Sequence, residues 1–163
     1  MLTRFVNCKH IITNEFNEKT LNLKRTEKTF SDKLRLEKGL IHELNYFKEL
    51  SKKYKKIKNI KDLKSLSKKE KIKETIKALK QGYELVYGGW LESDNGKWSG
   101  ELDFLEINKD LKSNLGNWSY EVTDTKNSAS VKGDHVYQVG LYCFLFKEAQ
   151  GILPNNFYIL FKD

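Results

Sequence analysis

Two strand-like segments between Gly100 and Lys126 constrain this chain most, because each places carboxylates among residues that belong in a core. They are Glu101-Leu-Asp-Phe-Leu-Glu106 and Tyr120-Glu-Val-Thr-Asp-Thr-Lys126. Both are rich in β-branched and aromatic residues and are bounded by Gly, Asn and Ser, which predicts β-strands. A carboxylate inside a sheet is costly unless it is paired or bound to a metal. Side chains alternate between faces along a strand. Asp124 and Lys126 therefore share a face with Tyr120 and Val122, while Glu121 and Thr123 take the other. A carboxylate beside an ammonium at a strand end, near Asp103 of a second strand, outlines a metal-dependent hydrolytic site.

The flanking sequence supplies helices and further strands. From Ser31 to Ser51, Leu36, Leu40, Leu44, Phe47 and Leu50 recur at helical spacing and form one apolar stripe, with Ser31 or Asp32 as N-cap. At 100° per residue Glu43 falls inside that stripe, and His42 lies beside it near Gly39 and Tyr46. Each is either a functional side chain or an ordinary one: Glu43 at the edge of the stripe reaching solvent, His42 a half-buried, hydrogen-bonded neutral imidazole. Residues 52–66 read as a Lys-rich connector, part of it an edge strand. Ser67-Lys-Lys-Glu70 is a capping box opening a helix that carries Ile72, Ile76 and Leu79 and stops at Gly82. The period then changes to that of strands over Tyr83–Tyr87 and Gly89–Leu91, with a turn at Asp94-Asn-Gly96 and a return through Lys97–Glu106. Together with Ser119–Lys126 these strands predict a largely antiparallel meander. A helix over about Asp134–Ala149 follows, with Gln138 and Tyr142 on one face, and Asn156–Phe161 reads as a buried strand. Leu2, Phe5, Val6, Ile11 and Ile12 suggest an initial short helix or buried arm.

Charge is local. Of the 163 residues, those from Lys48 to Lys80 hold 14 lysines and 4 acidic residues, so a chain of net charge +8 is slightly acidic elsewhere. The lysines form either a solvated helix surface or a phosphate-contacting patch whose binding would weaken steeply with salt. No apolar run approaches the roughly 20 residues needed to span a bilayer, and the first residues lack the apolar core of a secretory signal. Cys8 and Cys143 are too few for a disulfide framework, which fits reduced thiols and a cytoplasmic location. Cys8 and His10 lack the further ligands of a zinc site.

Phosphodiester hydrolysis needs a nucleophilic water, a lowered pKa for it, and positive charge against the developing phosphorane. Mg²⁺ or Mn²⁺ held by carboxylates supplies all three. Asp103 and Asp124 are the candidate ligands, and Lys126 is placed to orient or deprotonate the water and stabilise charge. The chain has no Gly-rich phosphate loop, G-x-S-x-G elbow or H-E-x-x-H pair.

Four motifs in order then carry a resemblance: Gly39-Leu-Ile-His42, Gly100-Glu-Leu-Asp103, Asp124-Thr-Lys126 and Gln138-Val-Gly-Leu-Tyr142. The set resembles the G-x-x-H, G-x-x-D, D-x-K and Q-x-x-x-Y series of RecB-like nucleases in the PD-(D/E)XK superfamily. Phe5-Val-Asn-Cys-Lys-His10 and Gln150-Gly151 are similar to segments of bacterial and archaeal members, so the resemblance covers nearly the whole chain. It implies an α/β fold with a restriction-endonuclease-like PD-(D/E)XK core, a mixed sheet flanked by helices, in a single domain spanning residues 1–163. It implies a metal-dependent DNA nuclease, with DNA (or RNA) as substrate and a role in DNA repair or defence. Motif by motif, His42, Asp103 and Asp124 would be metal ligands, with the Thr125 carbonyl as another. Lys126 would be the catalytic lysine, and Gln138 and Tyr142 would line the site. Glu43 follows the motif histidine and sits deeper in the apolar stripe, so either of the two, or both, would reach the metal. Some relatives hold an iron–sulfur cluster; only Cys8 matches its ligands here. Members often continue into a helicase or RNase H-like region, so the chain is expected to be an N-terminal domain with such a region fused or as partner. The alternative is a catalytically silent nucleic-acid-binding module of this fold, using the Lys48–Lys80 region.

Overall fold

The computed structural model describes residues 6, 8–24 and 26–162. Leu2 and Phe5 lie outside them. Of the two expected alternatives, a short helix and a buried arm, a helix forms, α1 (Lys9–Asn17), with Val6, Ile11 and Phe16 exposed.

Five strands, β1 (Ile57–Asn59), β2 (Leu85–Glu92), β3 (Ser99–Asn108), β4 (Ser119–Lys126) and β5 (Phe157–Phe161), form one mixed sheet in sequential order. The predicted meander is its antiparallel centre, β2–β3–β4. Both edges are parallel pairs, because a helix intervenes before each return: α3 (Lys68–Lys80) between β1 and β2, α4 (Gly133–Gln150) between β4 and β5. The long helix α2 (Phe30–Lys53) precedes the sheet. Alternation along β2 and β3 builds two cores. Tyr87 and Phe104 face α2, where they stack at 5.0 Å and meet Phe47 (4.4 Å from Tyr87) and Tyr46. Val86, Leu105 and Val122 pack with Leu79 of α3 and Leu145 and Phe146 of α4.

Two interruptions of the ladders shape the surface around Asp103. The β2–β3 ladder pairs Tyr87 with Phe104 and Gly89 with Leu102 but skips Gly88 and Asp103 between them. Gly88 has φ +67°, a left-handed conformation that glycine adopts without a Cβ penalty. The break shifts the alternation, so that Leu102 and Leu105, three residues apart, enter the same core. The β3–β4 ladder runs from Asn108↔Ser119 to Phe104↔Thr123 and stops there. Asp103 and Asp124 are next in line, at the mouth where the two strands part.

Several boundaries differ from those expected. Thr29, not Ser31 or Asp32, caps α2; its side chain accepts from Asp32 N–H while the Asp32 carboxylate takes the Thr29 N–H, a reciprocal box. Only the C-terminal half of the α2 stripe is covered, by the aromatic cluster and around Leu50. Leu36, Leu40 and Leu44 are 57%, 51% and 39% exposed. Strand β5 is a half-exposed edge, with Phe157 and Tyr158 open to solvent, because no strand or helix among the described residues covers its outer side. Among the described residues no helix is long and apolar enough to cross a membrane.

Candidate active site

At the mouth between β3 and β4 lies a cleft of about 370 Å³, walled by α2 on one side and α4 on the other. Each of the four sequence motifs sends at least one residue to it: Gly39 from the first, Asp103 from the second, Asp124, Thr125 and Lys126 from the third, Gln138 and Tyr142 from the fourth.

Parting of the strands leaves the Thr125 N–H without a ladder carbonyl on β3. The Asp103 carboxylate replaces it: one oxygen, Oδ2, accepts both the Thr125 N–H and the Thr125 hydroxyl, each at 2.8 Å. Asp103 is thereby fixed in orientation, with Oδ1 left for other partners. Asp124 is 1% exposed. Its Oδ2 lies against the Lys126 ammonium, as alternation along β4 requires, but receives no aligned hydrogen bond from any described residue. Burial first, and then the neighbouring Asp103 charge, push the Asp124 carboxyl up to about 6, against the opposing pull of Lys126.

The far wall explains one glycine of the motif set. Tyr142 lies over Gly100, where a Cβ would come within 2.7 Å of the ring. Its hydroxyl accepts from Gln138 Nε2 at 2.5 Å, one helical turn away. Burial raises the Tyr142 pKa, keeping the phenol neutral. Gly39 is different: a Cβ there would meet Asn127 at an ordinary 3.8 Å.

From α2 the cleft receives Glu43, not His42. One residue is 100° around the helix, so Glu43 turns into the cleft while His42 turns towards β5, its Nε2 3.3 Å from the Leu160 carbonyl. Of the two residues expected to reach the site from this helix, Glu43 lines the cleft and His42 does not. Glu43 is ion-paired with Lys61, which also lies 3.9 Å from Glu101 and 5.0 Å from the Tyr87 ring centroid. Burial raises the Glu101 carboxyl, and Lys61 partly offsets this.

Lys61, Glu101 and Arg35 are cleft residues that sequence reasoning missed. Glu101 lay within the G-x-x-D run, where alternation from Asp103 would have flagged it. Nothing separates Lys61 from the other lysines of its segment except distance from the Gly88-Gly89 pair, which is visible only once strands are paired.

Glu43, Asp103 and Asp124 present the hard oxygen donors that Mg²⁺ or Mn²⁺ takes. A cation would also relieve the mutual repulsion that raises Asp124. In donor chemistry the residues fit. Each carboxylate is turned to a partner of its own, and among the described residues no three acidic, His or Cys side chains converge on one point.

A larger hollow lies elsewhere, about 810 Å³, bordered by Tyr46, Tyr54, Glu106 and Tyr158. Its central carboxylate, Glu106, already accepts from Thr123 at 2.8 Å and Tyr54 at 2.9 Å. That is a satisfied packing network rather than an open set of reactive groups.

Of the Lys48–Lys80 lysines, several are engaged: Lys52 with Glu49, Lys58 with Glu74, Lys68 with Glu92 and Ser99. Compared with protein-family models, with curated proteins and with solved structures, the chain has no match.

Proposed function

We propose that this chain is a Mg²⁺- or Mn²⁺-dependent nuclease domain with a PD-(D/E)XK core of the RecB-like type, hydrolysing phosphodiester bonds in DNA. One observation carries the reading: motifs spread over a hundred residues of sequence contribute to a single cleft, with an Asp-x-Lys at its floor.

The residues divide the work. Asp103, Asp124 and Glu43, with the Thr125 carbonyl, would hold the cation, which when bound neutralises phosphate charge and lowers the pKa of water. Thr125 holds Asp103 in one orientation through two hydrogen bonds, so the carboxylate need not reorganise during reaction. Lys126, largely covered beside Asp124, keeps an ammonium at the cleft floor. As an ammonium it orients the attacking water and stabilises the charge that develops on the phosphoryl oxygens; only as the neutral amine, its proton passed on beforehand, would it take the proton of the water. Tyr142, fixed by Gln138 and by its seat on Gly100, offers a neutral hydroxyl towards the substrate backbone.

Cleavage of labelled single- and double-stranded DNA with Mg²⁺, Mn²⁺ or EDTA tests this. Wild type should cut only with the metal, and Lys126→Ala should lose on the order of 10²-fold or more in rate. Cutting in EDTA, or equal cutting by the variant, would overturn the assignment. Salt-sensitive binding without any cutting would favour the silent binding module, and the same assay on RNA separates the two substrates.

A further inference from the structure

Lys61 reaches the cleft by a specific route. Ile60 follows β1, is fully buried, and ties its N–H to the Tyr87 carbonyl at 2.9 Å. Its side chain joins the α3–α4 core, so the next residue projects to the α2 side. There Lys61 crosses directly over Gly88, where a Cβ would collide with the lysine Cγ. Glycine at φ +67° is therefore required for two separate reasons, the backbone conformation and the passage of the Lys61 stem. Beyond Gly88 the ammonium meets Glu43 and the Tyr87 face. A lysine threaded over a glycine and half-covered at its tip is unlike its neighbours Lys64 and Lys69 on the solvated surface.

The charges in the cleft add a second constraint. Four carboxylates (Glu43, Glu101, Asp103, Asp124) face three cationic side chains (Arg35, Lys61, Lys126). That balance repels a polyanion until a divalent ion reverses it. Parting a partly buried ion pair such as Lys61–Glu43 is costly if either charge is left alone, so the exchange requires that the cation take Glu43 and a phosphate take Lys61 together.

We propose that Lys61 is a phosphate-binding residue released by the cation: it holds Glu43 while the cleft is free of metal and contacts the nucleic-acid backbone once the metal takes Glu43. This rests on the nuclease reading. It makes substrate binding conditional on the cation, independently of the chemistry at Lys126.

The test is fluorescence anisotropy with a labelled, phosphorothioate-linked DNA oligonucleotide, with Mn²⁺ or EDTA, for wild type, Lys61→Met and Lys61→Arg. Mn²⁺ should tighten wild-type binding about tenfold or more, and the Met variant should lose most of that gain while Arg keeps it. In Mn²⁺ the salt dependence of the Met variant should fall by about one counterion. Without DNA, Mn²⁺ binding followed by electron paramagnetic resonance should tighten in Lys61→Met, because Glu43 has lost its competitor. Equal Mn²⁺-dependent tightening in wild type and Met variant, or weaker Mn²⁺ binding by the variant, would reduce Lys61 to a structural ion pair. Wild type that binds no DNA in either condition overturns the nuclease reading together with this one, whereas wild type that cuts and binds alongside an unchanged Met variant overturns this one alone. Lys61→Gln gives the same readout if the Met variant does not fold.

Discussion

Asp124 carries a negative charge into a place that does not welcome it. Its pKa in the fold, about 6, lies above the ordinary value of 3.8. The native state therefore binds more protons than the unfolded chain between those values, and stability falls as pH rises from about 4 to 6. Asp124→Asn should then be more stable than wild type at pH 7.5 without metal, by on the order of 3 kcal/mol, with the gain vanishing below pH 4. Thermal melts of both proteins at the two pH values check this. Added Mn²⁺ should raise the wild-type melting temperature and leave that of the Asn variant nearly unchanged. The same titration predicts that Mn²⁺ affinity weakens as pH drops through about 6, since the proton competes with the cation for Asp124; isothermal titration calorimetry at pH 5 and 7.5 checks this. Gly100 makes a complementary case: Gly100→Ala drives a Cβ into the Tyr142 ring. Because overpacking costs about 1–3 kcal/mol, the variant should melt lower and cut more slowly even though every ligand is intact.

At the scale of elements, the informative parts are those that end or break. The alternation that separated Asp124 from Glu121 in the sequence holds in β4, and the Asp-x-Lys pairing follows from it. The meander, the Ser67–Glu70 box and the α4 helix with Gln138 above Tyr142 were likewise legible, because each is written in local spacing. What was not legible depends on pairing between distant strands. The skipped Gly88–Asp103 position, the parting of β3 from β4, and the path of Lys61 exist only once the register is set. The helical contribution was half legible: the stripe put Glu43 deeper than His42, and Glu43 is the one in the cleft. Yet the same stripe wrongly implied burial for Leu36 and Leu40, since periodicity shows which residues share a face and not what covers it. Phe104 ties α2 to the sheet through Tyr46, Phe47 and Tyr87. Phe104→Ala should cost about 3–5 kcal/mol in urea unfolding, with cleavage lost through the displacement of Glu43 rather than of Lys126.

Across the whole molecule, one sheet separates two cores, and the charged residues of the cleft gather where strand pairing stops rather than in either core. The division leaves α2 unevenly held. About 36 Å long at the helical rise, it is packed on aromatic rings over its last turns. Over its first turns Phe30 is open to solvent, Leu36 and Leu40 line the open cleft without being covered, and Asn127 bonds to the Arg35 carbonyl. A helix gripped at one end behaves as a lever. Amides of residues 33–41 should exchange with deuterium well before those of 46–53, a gradient that mass spectrometry resolves. Glu43 lies next to the fulcrum, so tilting the free arm would change the width of the entrance while scarcely moving that carboxylate. The width of the entrance and the position of Glu43 would thus vary independently along a single helix.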